Sequence, residues 1–359
     1  MSPLRRLVRS LPPVSRRDER IDRLVERQGR LIRERDRLRR TVEELEQQLA
    51  AKETPELTLG IQTRPGFAAQ LAVWKRDINR NRRANDLSDP RSVMTTKLEM
   101  YRFAESHGLK VPTVHGLWAT PEEIDLDTLP ERFVIKSDRG SSGNGVLPVE
   151  RVEGGYRIFS QSRIWRPEGF HRLLRRRLDE GQIAGPFFVE SLMEDARHPG
   201  RLPVDVKLYS FYGNVGHVLL RQMEHHADRS TARLRYLGAD GTDLGRVTTW
   251  LETSSAVEPP SRLPELVEVA RRLSAAVPLP FVRVDLYDLP DGIWFGELTL
   301  TPGGRQAYTA EHDAKLGRLW EDAATRLARD HRAGRPFTLT FGDHPVRTPR
   351  AGDVPATSS

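Results

Sequence analysis

Hydrophobic positions recur every seven residues near the N-terminus. Ile21, Val42 and Leu49 share a frame with Gln28 and Arg35, and Leu24, Leu31, Leu38 and Leu45 interleave with them. This spacing, sustained over four heptads, predicts a coiled-coil helix, most simply a dimer, in which Gln28 and Arg35 are polar intrusions that set register and oligomer number at some cost in stability. A single amphipathic helix docked on its own domain has the same pattern. From Glu53 the heptads stop, and Pro55, Gly60, Pro65 and Gly66 mark a linker. Two helical stretches follow, about 67–80 and 92–106, the second with Ser92 placed as its N-cap. Short strand-like runs then alternate with helices to about residue 330, at 133–136, 187–190, 204–212, 215–221, 281–287 and 293–300. That mixture predicts an α+β fold with antiparallel sheet and excludes a simple repeat of parallel β-α units. The last 25 or so residues, rich in Pro, Gly, Arg, Thr and Ser, read as a disordered tail.

Charge changes the picture at one end. The net charge is +7, yet residues 1–40 hold fourteen Arg against six Asp and Glu, a local +8, which leaves about −1 for the other 319 residues. The basic character therefore belongs to one arm, suited to an acidic membrane surface, to nucleic acid or an anionic polymer, or to nothing beyond solvent. With the remainder near neutral, no nucleic acid is expected as a partner. Cysteine is absent, which excludes disulfides, thiolate metal sites and a cysteine nucleophile. No run approaches the roughly 18–20 apolar residues of a membrane span, and the first residues lack the apolar stretch of a secretory signal. The expected location is the cytoplasm, with room for peripheral contact at the inner face of the membrane.

The chemistry starts from the lysines. Against 50 Arg there are seven Lys, so a surface cation in this chain is nearly always Arg. Lys97, Lys136 and Lys207 each sit in a patterned segment, and a compact ammonium on a flexible stem suits a single phosphate oxygen better than a planar fork. Lys136 ends a strand-like run and leads into Gly140, Ser141, Ser142, Gly143, Asn144 and Gly145 before the strand character resumes. A hairpin tip of that composition can fold backbone N–H groups over polyphosphate, and equally can be a solvated turn. It is neither a Walker loop nor a dinucleotide fingerprint.

A later pair of runs adds carboxylates. Alternation puts Arg283 and Asp285 on one face of their strand, with Val282, Val284 and Leu286 on the other, and Glu297 shares a face with Thr299 on the next. The Asp291-Gly292 turn predicts antiparallel pairing, which would bring Asp285 and Glu297 together as hard oxygen ligands for one or two Mg²⁺ ions. Pro302, Gly303 and Gly304 then form a turn whose N–H groups could face a developing oxyanion.

In this order, a helical lysine, a strand-end lysine with a glycine-rich hairpin, FFVESLM, VDVKLYSFYGNVG, DRSTARLRYLGADG and RVDLYDLPDGIWFGELTLTPGG, the chain resembles the ATP-grasp superfamily over about residues 85–310. Within it the chain looks like the TupA-like branch, associated with teichuronopeptide and other cell-surface polysaccharide biosynthesis. The resemblance implies an ATP-grasp fold, two α+β subdomains clamping ATP, behind the N-terminal coiled-coil helix. The implied divisions are an arm and helix at 1–52, a linker and helical region at 53–130, a lid subdomain with the glycine-rich loop at 131–190, a catalytic subdomain at 191–333 and the tail at 334–359. Lys97 and Lys136 would contact ATP phosphates beneath the loop from Gly140 to Gly145. Glu190, Leu192 and Met193 would form the hinge against adenine, mostly through backbone, with Glu194 or Asp195 reaching the ribose. Lys207 would point at the transferring phosphate, Arg283 would stabilise an acyl phosphate, and Asp285 and Glu297 would hold Mg²⁺, with Thr299 standing where many members have a third ligand, Asn. Thr96, where the branch often has Asp, and Asp138-Arg139, in place of a more usual Asn-His, depart from the pattern.

The implied activity is an ADP-forming carboxylate–amine ligation through an acyl phosphate, with carboxylate and amine substrates and no side-chain nucleophile. A kinase acting on a hydroxyl, or an oligomeric scaffold with a degenerate nucleotide fold, are the alternatives. The adjacent His225 and His226 diverge on either helix or strand and make a poor zinc site. Trp118, Trp165 and Trp250 suit core or sugar stacking alike. Arg175, Arg176 and Arg177 form a basic run that would also suit an acidic polymer.

Overall fold

The computed structural model describes residues 28, 34–39, 42, 64–84, 96–139, 145–159, 161–195, 197, 202–223, 232–249, 252–303 and 306–353. The chain divides into two compact units at Thr63/Arg64. In the first, the described residues of the heptad segment, 28, 34–39 and 42, are helical, and the rest of the predicted seam lies outside the described residues.

The second unit holds two antiparallel sheets. Helices α1 (Phe67–Ala84) and α2 (Lys97–Ser106) precede β1 (Val114–Trp118), β2 (Arg132–Arg139), β3 (Val146–Val152), β4 (Gly155–Ile158), β5 (Ile164–Trp165) and β6 (Ala184–Ser191), with α3 (Pro167–Asp179) between the last two. These strands form a six-stranded sheet in the order β1-β6-β2-β3-β4-β5. A five-stranded sheet follows in the order β11-β10-β7-β8-β9, from β7 (Asp205–Phe211), β8 (Asn214–Gln222), β9 (Arg233–Leu237), β10 (Val282–Leu289) and β11 (Gly292–Thr299). Helices α4 (Leu263–Ala276) and α5 (Ala310–Arg332) complete the unit.

The strand-like runs all become strands, and most carry a two-residue alternation with one apolar face. On β10, Val282, Val284 and Leu286 are fully buried among Leu266, Ala270 and Leu273 of α4, so Arg283 and Asp285 must project from the opposite face. That second face packs around Phe67 of α1, whose ring lies 5–6 Å from those of Tyr209, Phe211, Phe281, Tyr308 and Trp320. Aromatic edge contacts of this kind add to area burial, and Phe67 is fully buried. Gly317 on α5 allows this packing: a Cβ there would lie 2.6 Å from the Pro65 carbonyl oxygen.

Helix α2 sits between the two sheets. Its Tyr101 ring meets Phe188 of β6 at 6.2 Å and Phe295 of β11 at 6.1 Å. The helix starts at Lys97, with Thr96 at the N-cap making no side-chain bond, and Ser92 lies outside the described residues. The cap comes from far away: Asp138 Oδ1, at the end of β2, accepts from the Leu98 N–H at 2.9 Å.

Two sequence expectations change. The first sheet begins at Val114, because β1 pairs with β6, so its boundary lies earlier than residue 131. Residues 334–353, expected as a disordered tail, instead run across α2. The Gly342 and His344 N–H groups donate to Ser106, those of Arg347 and Thr348 to the Glu105 carboxylate, and Phe341 stands edge-on to Phe103. Composition pointed to disorder, but a polar strap whose N–H groups find fixed acceptors on a helix does not need its own hydrophobic core.

Candidate active site

Register builds the acid-and-cation patch on the second sheet. Asp285 of β10 lies opposite Glu297 on β11 and Lys207 on β7, while Arg283 lies opposite Thr299 and Tyr209. Lys207 Nζ donates to Asp285 Oδ2 at 2.7 Å, and Arg283 grips the same carboxylate with Nε and Nη2, each at 2.6 Å. Arg283 Nη2 also reaches Thr299 Oγ1 at 2.8 Å and Glu297 Oε1 at 3.4 Å, and the Thr299 hydroxyl donates to Glu297 at 2.9 Å. Asp285 is 3 % exposed, and a carboxylate so buried is tolerated because both oxygens are paired. Burial alone would depress the Arg283 guanidinium, but the Asp285 charge and its hydrogen bonds outweigh it and hold that group above its ordinary range. Behind them Asp205 accepts from Tyr287 and Arg221 and lies 3.4 Å from Lys207. Burial pushes its carboxyl up, and the Lys207 and Arg221 charges, with hydrogen bonds from Tyr287 and Arg221, more than reverse this, leaving it well below the usual carboxylate range. Sequence reading did not single out Asp205, Arg221 or Tyr287. The alternation that placed Lys207 puts Asp205 on the same face, two residues earlier.

Strand β2 and helix α2 present amino groups. Lys136 Nζ bonds Glu190 Oε1 at 2.6 Å and the Tyr101 hydroxyl at 2.8 Å, and that hydroxyl donates to Glu190 Oε2 at 2.8 Å. Burial first, then the Glu190 charge and hydrogen bond, push the Tyr101 phenol far up, so it stays a neutral bridge. Lys97 Nζ donates to the Ser137 carbonyl at 2.9 Å. Burial, and next the Lys136 charge, lower its ammonium, while Glu297, Asp138 and Glu190 act in the opposite direction. Lys97 thus senses charges from both sheets at once. Of the glycine-rich tip, Gly140, Ser141, Ser142 and Gly143 lie outside the described residues. Gly145 closes the neck, its carbonyl accepting from the Ser137 N–H at 2.9 Å.

The other expected residues fall as follows. The Glu190 side chain is taken by Lys136, so a hinge role at this position falls to its backbone. Leu192 and Met193 follow β6 and are half-buried, Glu194 is exposed and paired with Arg132 at 2.6 Å, and Asp195 is gripped by Arg197. Gly303 accepts from the Gln306 side chain at 2.8 Å, and that side chain is fixed by the Tyr209 and Tyr308 hydroxyls. Gly304, His225, His226 and Trp250 lie outside the described residues.

Hard oxygens at 285, 297 and 299 suit Mg²⁺, yet they do not form a closed cage. Among the described residues no group of three or more His, Cys, Asp or Glu could hold a metal ion. Both Asp285 oxygens are engaged by cations, whereas the Glu297 side chain is 47 % exposed. Such a donor set fits Mg²⁺ that takes most of its shell from phosphate oxygens and water.

Two antiparallel sheets bridged by a helix, with ammonium groups on the first sheet and the helix and a carboxylate patch on the second sheet, define an ATP-grasp fold. The TupA-like ATP-grasp family model matches residues 77–321, about two thirds of the chain, and the chain belongs to that family. Solved structures similar to it include D-alanine–D-alanine ligase from Bacillus anthracis in complex with ATP, at 14 % identity and a TM-score of 0.41, covering 67 % of this chain and 69 % of that one. A RimK-domain ATP-grasp protein from Sphaerobacter thermophilus matches at 12 % identity and 0.38, covering 66 % and 69 %. The Chryseobacterium gregarium RiPP-associated ATP-grasp ligase, in complex with ADP and a leader and core peptide, matches at 14 % and 0.37, covering 76 % and 73 %. A comparison with curated proteins found no match.

Proposed function

We propose that this chain is an ADP-forming carboxylate–amine ligase that works through an acyl phosphate, in the biosynthesis of a cell-surface polysaccharide or a related conjugate. The observation that carries the reading is the Lys207–Asp285–Arg283–Glu297 patch, set by strand register, whose Glu297 charge acts on the Lys97 ammonium of α2, which in turn feels the charge of Lys136 on the other sheet. A substrate carboxylate oxygen attacks the γ-phosphorus of ATP, and the bridging P–O bond breaks with its electrons leaving on ADP. An amine nitrogen then attacks the acyl carbon, the C–O bond to phosphate breaks, and the amine gives up a proton. Lys97 and Lys136 bind phosphate oxygens, Lys207 and Arg283 offset charge on the moving phosphoryl group, and the turn at Gly303 lies at the acceptor side. Mg²⁺ held at Asp285 and Glu297 would supply further charge neutralisation. The lack of Cys agrees with chemistry that needs no side-chain nucleophile.

The purified protein with ATP, Mg²⁺ and a panel of amino acids and uronic acids is expected to release ADP with one acyl–amine pair and to yield an amide. Glu297→Ala is expected to abolish that release while unfolding within about 1 kcal/mol of wild type, since Glu297 is half exposed and, among the described residues, hydrogen-bonded only by Arg283 and Thr299. A phosphorylated product without an amide would overturn the ligase reading.

A further inference from the structure

Several arginines elsewhere in the chain have carboxylate partners. Arg132 pairs with Glu194, Arg157 with Glu150, Arg235 with Asp243, and Arg175 of α3 holds Glu122 through a two-nitrogen fork. The neighbouring face of α3 gathers its arginines in one place. Arg163, Arg166, Arg172 and Arg176 line one open groove of about 620 Å³ beside β5, together with Trp165 and a single carboxylate, Glu168. All four are exposed. Among the described residues Arg163, Arg166 and Arg172 form no ion pair, and Arg176 has only Glu180 at 4.0 Å. The groove thus holds about three uncompensated positive charges, which repel one another in the absence of a ligand.

Two more features say what would fill it. The Trp165 indole N–H is buried and has no acceptor, a donor left over in the groove wall. Its ring is covered on one side by the Arg163 guanidinium at 3.7 Å, and an added Cβ at Gly169 would lie 3.7 Å from Cε3, so pyranose stacking is not what the site offers. The strand beside it, β5, is the edge of the six-stranded sheet and carries the exposed Ile164. An edge strand offers main-chain hydrogen bonds to an extended chain, and a row of guanidinium forks beside it selects carboxylates. The basic arm at 1–40 has the wrong sign to be the occupant.

We propose that this groove is a docking site for an extended acidic peptide segment, reading its carboxylates with Arg163, Arg166, Arg172 and Arg176. It lies on the far edge of its sheet, three strand spacings or about 14 Å from β2, and so outside the nucleotide cleft. The inference does not depend on the ligase reading, because its test is a binding measurement without turnover. Fluorescently labelled hexaglutamate is titrated into the full chain at low salt, with hexagalacturonate and tripolyphosphate as competitors. Wild type is expected to bind hexaglutamate in preference to both. Arg166→Glu and Arg172→Glu should each weaken binding at least tenfold, with unchanged unfolding midpoints. Arg175→Glu, on the paired face, should change it less than threefold. The proposal is overturned if Arg175→Glu weakens binding as much as Arg172→Glu, if either competitor binds as tightly as hexaglutamate, or if no hexaglutamate binds.

Discussion

Replacing Lys136 tests two roles of one side chain. Glu190 is 1 % exposed and its two carboxylate oxygens have Lys136 and Tyr101 as partners. Lys136→Met removes the cation and leaves a buried carboxylate with one neutral donor. Breaking a buried pair from one side typically costs about 3–5 kcal/mol. For a body of this size that corresponds to a fall in unfolding midpoint on the order of 6–20 °C. Adding Glu190→Gln removes the stranded charge and keeps an acceptor for the Tyr101 hydroxyl, so the double variant should recover more than half of the loss. Nucleotide binding should not recover, because the ammonium proposed to bind the phosphates is still missing. The assay pairs thermal unfolding by circular dichroism with calorimetric titration of Mg-ATP on wild type, both single variants and the double. A Lys136→Met protein as stable as wild type would refute the buried-pair reasoning. A double variant that binds Mg-ATP like wild type would refute the phosphate role.

Three further outcomes follow from other parts of the molecule. His217 and His312 share a hydrogen bond at 3.1 Å; burial lowers both, His312 to about 4 and His217 well below its ordinary value. Protons bind the unfolded chain first below about pH 6.5, so stability should fall between roughly pH 6.5 and 4, by an order of 1–3 kcal/mol. His312→Gln should flatten that limb of a pH series of denaturant midpoints. Deleting residues 339–359 removes the strap over α2 and should cost on the order of 2–4 kcal/mol, from several hydrogen bonds of about 1 kcal/mol each plus the Phe341 contact. Because α2 carries Lys97, the same deletion should weaken Mg-ATP binding in a calorimetric titration. Gln306→Leu should lower turnover with nucleotide binding unchanged, since its amide ties Gly303 to Tyr209 and Tyr308, a split that steady-state kinetics would show.

The sequence by itself carried the strands and the placing of Arg283, Asp285 and Glu297 together, because both follow from a period of two. Val282, Val284 and Leu286 have to be buried together, so Arg283 and Asp285 have to share the other face, and a short Asp-Gly turn brings Glu297 beside them. The scarcity of lysine marked Lys97, Lys136 and Lys207 for the same local reason: each stands where an arginine would otherwise serve. Tertiary structure decided what depends on partners far apart in the chain. Asp138 looks like a substitution in a loop, yet it caps a helix 40 residues earlier, and Glu190 looks like a hinge residue, yet its carboxylate is the counter-charge of Lys136. Tyr212 has the left-handed backbone of a tight β7–β8 turn, held by a bond from its hydroxyl to Asp330, 118 residues away. Residues 334–353 are held by acceptors on α2 that no window of their own composition contains. Periodicity reports which face a residue occupies; only the packed chain fixes which charge or acceptor meets it there, because electrostatic and hydrogen-bond partners act through space and not along the backbone.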